Sequence, residues 1–209
     1  TSPLTGAGNV SAPGAITLTA SEPSDALGWA DDLTVNAGAT VQSTASSVTL
    51  RAGDDVVLGG SVQASTDVTL AAGFNDVDGA GSIIDTNGGT TNVNASTLSA
   101  TAVGVTNALG IDLDVVVGTL TLASVTGAGG INVFSASNGM FVTTATTAAG
   151  DISLSANNGS IIFTTLDAST GGGVGNVTVT TTSGVAVRYA YTQIRGSIPA
   201  IVTPMHEDG

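Results

Sequence analysis

Short segments of the form aliphatic–polar–aliphatic recur along this chain: Ile16-Thr17-Leu18, Leu33-Thr34-Val35, Leu120-Thr121-Leu122, Ile131-Asn132-Val133, Ile152-Ser153-Leu154 and Val177-Thr178-Val179. Two longer stretches nearly coincide, SVTLRAGD from Ser47 and DVTLAAGF from Asp67, twenty residues apart. Apolar positions alternate with a period of two rather than 3.6, β-branched residues abound and helical patterning is nearly absent, so the segments read as short strands. Groups such as Gly53-Asp54, Gly59-Gly60, Asn87-Gly88-Gly89 and Asn157-Asn158-Gly159 separate them and supply the backbone conformations that tight corners need. A strand-built repeat of roughly 15–25 residues is the pattern of a solenoid.

The clearest repeat covers residues 48–67. Val48 and Leu50 face inward, Ala52-Gly53-Asp54 turns, Val56 and Leu58 form a second inward face, Gly59-Gly60 turns again, and Val62 with Ala64 makes a third. Three short strands per repeat, each pairing with its equivalent one repeat away, predict an all-β fold: a right-handed parallel β-helix, or β-solenoid, with Gly, Asn and Asp at its corners. At about 4.8 Å per strand step, nine or ten repeats make a rod on the order of 45 Å long. Val68 to Val93 and Ile152 to Val177 are both longer spacings, and the extra residues are expected in corner loops at 75–81 and 169–175. The β-helix is expected over residues 1–190. From Arg188 both tyrosines, two of the three arginines and the single His appear and the repeat is lost, so residues 191–209 are expected to form a tail.

Composition favours a thin core. Aromatic residues are 3% and charged residues 9% of the 209, yet mean hydropathy is +0.40. Small aliphatics suffice where no interior point lies far from the backbone. Sixteen Asp and Glu stand against three Arg and no Lys, a net charge of −13 that repels nucleic acid and anionic membranes. No run of eighteen apolar residues predicts a membrane span. The absence of cysteine removes disulfides and thiolate metal sites and fits an extracellular or cell-surface protein. Opening at Thr1 in mid-pattern reads as a mature product or an excised segment.

Residues 12–187 resemble the filamentous-haemagglutinin-like repeats of large secreted bacterial adhesins, and VTLRAGDDVVLGGSVQA from Val48 to Ala64 is a close rendering of their repeat. The resemblance implies a surface-exposed fibrous or adhesive protein and brings no catalytic residue. Residues 192–209, TQIRGSIPAIVTPMHEDG, resemble the first strand and turn of dihydrodipicolinate synthase, a TIM-barrel aldolase. That run stops before the family's Schiff-base Lys, and one strand makes no barrel.

Several groups bear chemistry. Asp54-Asp55 and Asn75-Asp76-Val77-Asp78-Gly79 are the acidic corners best suited to oxygen-loving Ca²⁺, with Asp76 and Asp78 as its ligands; solvated corners are the plainer reading, and no cofactor is expected. Asp112 and Asp114 alternate with aliphatics and share an outward face, as paired carboxylates for glycoside hydrolysis would. Arg51 is the sole basic residue before Arg188, which counts against a lyase acting on acidic polysaccharide. Gly171-Gly172-Gly173-Val174-Gly175 reads as a loop rather than a phosphate cradle. Outward Thr17, Thr34, Thr49, Thr69, Thr121 and Thr178 reflect β-propensity more than an ice-binding lattice, and Trp29 is expected to cover an end or corner of the core.

These features point to a non-enzymatic structural segment of a secreted bacterial surface protein. It would either associate head to tail with copies of itself into an extracellular filament or continue into flanking coils as an adhesin stalk. A β-helix enzyme or binding module acting on polysaccharide is the alternative. Assembly is expected through an apolar strand at Ile198, Ala200 and Val202 that caps the last repeat or reaches a neighbouring subunit. The tail is expected to have no aldolase function. Incubation with pyruvate and borohydride should trap no covalent adduct, because the chain has no lysine to form the Schiff base; an adduct detected by mass spectrometry would refute this.

Overall fold

The computed structural model describes residues 4–6, 8–22, 31–75, 79–104, 109–183 and the backbone strand at 188–195. Within them the chain is all-β, with no helix. The strands are β1 (Leu4–Gly6), β2 (Val10–Ala12), β3 (Ile16–Ala20), β4 (Leu33–Val35), β5 (Thr40–Ser43) and β6 (Val48–Ala52). They continue as β7 (Val56–Leu58), β8 (Ser61–Ala64), β9 (Asp67–Ala72), β10 (Ile83–Asp85), β11 (Val93–Ala102) and β12 (Leu109–Ala128). The remainder are β13 (Gly130–Ser135), β14 (Met140–Ala149), β15 (Ile152–Ala156), β16 (Ile161–Asp167), β17 (Val177–Thr181) and β18 (Arg188–Arg195).

Every pairing among these strands is parallel, and each joins a strand to its equivalent one repeat on, in a solenoid-like pattern. One column runs β1–β4–β7–β10–β12–β13–β15–β17. A second runs β2–β5–β8–β11, and a third β3–β6–β9–β11–β12–β14–β16–β18. The near-identical stretches stack on each other, Val48 on Val68 and Leu50 on Leu70. Ile152 on Val177 likewise matches the expected register.

Beyond β10 the layout departs from three short strands. β11 and β12 pass through two and three columns without a break in pairing, and from β13 onward each repeat consists of two strands. This corrects the expected equivalence of Val68 and Val93. Val93 pairs with Val62 in the second column, while Val68 pairs with Leu98. Because β11 turns the corner with no glycine break, its first residues fall one column earlier than spacing alone suggests.

The core is a file of stacked aliphatics. Val48, Leu50, Val56, Leu58, Val62, Leu70, Ile131, Val133, Ile152 and Leu154 are each 0% exposed, every one a side chain whose burial contributes about 1.5–3 kcal/mol. Their polar neighbours alternate outward, as the strand period requires. Ala64 is only partly buried. Leu122 breaks the pattern: at the register shift after Leu98, Thr121 is the extra residue and its hydroxyl donates to the Leu98 carbonyl at 2.8 Å. The bulge turns Leu122 aside and gives its inward place to Ala123, which is fully buried. Inward polar groups sit at corners and close them: Ser43 donates to the Gly14 carbonyl at 2.8 Å and Thr147 to that of Gly150 at 2.7 Å.

In the Gly171–Gly175 loop, Gly171 and Gly173 are required by close packing, while Gly172 has a positive φ of 81°. A Cβ at Gly171 would lie 2.8 Å from that of Ala148, and one at Gly173 2.7 Å from that of Ala149, so only glycine lets this loop lie flat on the repeat beneath it.

The inside–outside register has a direct test. Leu70→Asp places an unpaired carboxylate between Leu50 and Ala100 and should cost several kcal/mol. Thr69→Asp faces outward between Thr49 and Ser99 and should change stability by no more than about 1 kcal/mol. Thermal melts followed by circular dichroism read both; the opposite ranking would shift the register by one residue.

Candidate functional site

Most described acids are occupied by a structural task. The residue just before a first-column strand is repeatedly an Asp, and its carboxylate accepts the backbone N–H of the equivalent residue one repeat on. Asp32 Oδ1 accepts from Asp55 N at 3.1 Å, Asp55 Oδ1 from Ser82 N at 2.7 Å, and Asp151 Oδ1 from Asn176 N at 2.7 Å. Beside them Asp54 Oδ2 accepts from Asp31 N at 2.8 Å. The side chains thus carry the parallel hydrogen bonding across a corner where the backbone alone would leave donors unpaired. Asp167 and Asp85 cap turns, accepting from Ser169 N and Asn87 N.

This accounts for Asp54-Asp55 without a metal. Among the described residues no three carboxylates or imidazoles are disposed to hold a metal ion. The stacking has an electrostatic cost. Burial, then neighbouring acids, hold the Asp32 and Asp55 carboxyls above the ordinary range, partly offset by the backbone N–H each accepts. Asp31 is 4% exposed, and its Oδ1 has no hydrogen-bond partner. Asp76 and Asp78, the expected calcium ligands, lie outside the described residues, as do Ile198, Ala200, Val202 and Trp29.

Asp112 and Asp114 are different: among the described residues no backbone amide donates to their carboxylates. Both are half-buried and outward on β12, as the alternation predicts. Pairing with β13 sets Asn132 beside Asp112 and Phe134 beside Asp114. Asn132 Nδ2 donates to Asp112 Oδ1 at 2.8 Å. The Asp114 carboxyl is raised from the ordinary range by burial first, then by the charges of Asp85 and Asp112. A fully buried amide, Asn92, fixes this corner. Its Nδ2 donates to Asp85 Oδ1 at 3.0 Å and to the Leu58 carbonyl at 3.3 Å, and its Oδ1 accepts from Asp114 N at 2.7 Å.

A turn at residues 86–91 covers the corner, and a Cβ at Gly89 would lie 3.9 Å from Asp114 Oδ2. The other side of that turn lines a groove of about 410 Å³ with Thr40, Gly60, Ser61, Thr86, Asn87 and Thr91, free of charged groups. Beyond Asp112 and Asp114 the same outward rows continue into hydroxyls, Asn132 to Ser153 to Thr178 and Phe134 to Ser155 to Thr180. The arrangement offers a paired carboxylate, an amide, an aromatic ring and rows of hydroxyls on one face. Sequence reasoning identified the acids and missed Asn132, Phe134 and Asn92. Asn132 and Phe134 occupy in Ile131–Ser135 the alternation that Asp112 and Asp114 occupy in β12, and that correspondence was their only signal.

Comparison with protein-family models, curated proteins and solved structures gives no match for this chain.

The raised carboxyls set a pH dependence. A group whose pKa is higher folded than unfolded contributes stability that is present below the unfolded value and lost as pH rises through the folded one. Asp32, Asp55 and Asp114 all have this sign. The melting temperature should therefore rise as the solution is taken from neutral pH into the carboxylate range. Asp55→Asn keeps the acceptor for Ser82 N and removes a charge beside Asp32 and Asp54. It should raise Tm at neutral pH, by about 2–4 °C for each kcal/mol of repulsion relieved, and flatten the pH profile. A parent Tm that falls on mild acidification would contradict the assignment.

Proposed function

We propose that the chain is a right-handed parallel β-helix and a non-enzymatic structural piece of a secreted bacterial surface protein of filamentous-haemagglutinin-like type, associating end to end into an extracellular filament. The observation that supports this reading is the state of the two end repeats. Among the described residues β1, β2 and β3 each pair on one side only, with β4, β5 and β6, and β17 pairs only with β15. Some inward side chains are less covered there than in the middle, although Ile16, Ala20 and Val177 on the same strands stay buried. Leu18 is half-buried where its stacking partner Leu50 is fully buried, and Val179 is half-buried above a fully buried Leu154. A parallel strand edge with unpaired N–H and C=O groups is a template for another strand of the same kind, and a part-covered aliphatic file gains from continuing it. Flanking coils of a longer chain would satisfy the same edges, which is the stalk form of this reading.

Light scattering and negative-stain electron microscopy of the purified chain decide between the two. Self-association predicts particles that lengthen with concentration, and Leu18→Lys, which sets a charge in the open edge, should leave monomers with an unchanged circular dichroism spectrum. Removing residues 190–209 should also change the assembly state. A parent chain that stays monomeric at every concentration would exclude the filament and leave the stalk.

A further inference from the structure

We propose that the outward face formed by Asp112, Asp114, Asn132 and Phe134 is a binding site for a neutral, hydroxyl-rich oligosaccharide. This does not depend on the assembly reading, since the face lies on the side of the stack and not at its ends. Phe134 is an outward aromatic in a chain with very few aromatic residues, and its neighbours one and two repeats on are Ser155 and Thr180. An aromatic ring flanked by polar groups is suited to a ligand with one apolar face and a polar rim, and a pyranose ring is such a ligand. Asp112 and Asn132 are already joined by a hydrogen bond of 2.8 Å. The remaining carboxylate lone pairs accept from sugar hydroxyls, and the amide has a second N–H to donate and a carbonyl to accept. The pair is therefore ordered before ligand arrives, which lowers the entropy cost of binding.

Charge narrows the ligand class. Two carboxylates on this face, within a chain of net charge −13, repel uronates and sulfated polymers. Neutral hydroxyls meet no such penalty. Geometry bears on length: strands step about 4.8 Å along the stack, and the outward rows run from Asn132 and Phe134 to Ser153 and Ser155. Successive sugars of an extended chain lying along the stack would meet successive strands.

Affinity electrophoresis of the full chain through native gels containing hydroxyethylcellulose, galactomannan or dextran tests this, with polygalacturonate as the anionic control. At least one neutral polymer should retard the parent, and polygalacturonate should not. Phe134→Ala should weaken the interaction about tenfold or more, the scale of 1.4 kcal/mol, and Asn132→Ala should weaken it as well. Thr17→Ala, on another column, should leave it unchanged. Circular dichroism melts confirm that each variant is folded, and if Phe134→Ala is not, Asn132→Ala decides. Absence of retardation by all three neutral polymers would overturn the proposal. So would equal retardation of the parent and both site variants, or stronger retardation by polygalacturonate.

Discussion

Each strand in this chain hydrogen-bonds in parallel to its own equivalent one repeat away, with only local register shifts, and almost everything else follows from that. Stacking like on like sets Val48 over Val68 and Leu50 over Leu70, so the interior becomes a file of mostly similar aliphatics, with Phe163 the one aromatic buried in it among the described residues. That is why a chain with 3% aromatic residues can still seal Ile131, Val133, Ile152 and Leu154 completely. A parallel ladder also makes each repeat dependent on its neighbours, because half of every strand's backbone groups are satisfied from either side. The contrast between Leu50, fully covered, and Leu18, covered on one side, is this dependence seen in a single column.

The same stacking rule acts on charge, with the opposite sign. Asp32, Asp54 and Asp55 lie close because equivalent positions are brought close, and a repeated acid must face its own copy. The chain tolerates this because each carboxylate accepts a backbone N–H that the corner would otherwise strand. Hydrogen bonds to charged groups contribute about 1.5–3 kcal/mol, enough to outweigh repulsion between partly solvated acids. Asp54 and Asp55 are therefore pieces of backbone pairing. Asp151 shows the same device with Asn176, an amide, in the place of a second acid.

How much of this was legible in the sequence depends on whether a residue's role is local. The inward positions of Val48, Leu50, Val56, Leu58 and Val62 follow from period-two alternation, which is a property of the strand itself. So do the outward faces of Asp112 and Asp114. What alternation does not contain is where a corner falls when no glycine marks it. β11 turns without one, and Val93 was assigned to the wrong column for that reason. A bulge is equally invisible. Leu120-Thr121-Leu122 has the same form as Ile152-Ser153-Leu154, yet the extra residue is expressed only through the partner strand at Leu98. Asn92 lay hidden for a further reason: a buried amide between Leu58, Asp85 and Asp114 acquires its meaning from three repeats at once.

A fold of this kind separates the residues that hold it from the residues that can do something else. Inward positions are committed to the aliphatic file, and corner acids are committed to the ladder. Freedom remains at outward positions within a strand, where a side chain touches only its neighbours in the row above and below. Change there costs little stability, since neither the core nor the backbone pairing is involved. From β12 onward in the first column those positions read Asp112, Asn132, Ser153, Thr178 in one row and Asp114, Phe134, Ser155, Thr180 in the next. Over these four strands the chemically distinctive residues come first and give way to small hydroxyls. Parallel stacking is what turns that gradient into a surface: it takes side chains about twenty residues apart in sequence, such as Asp112 and Asn132, and places them one strand step apart in space.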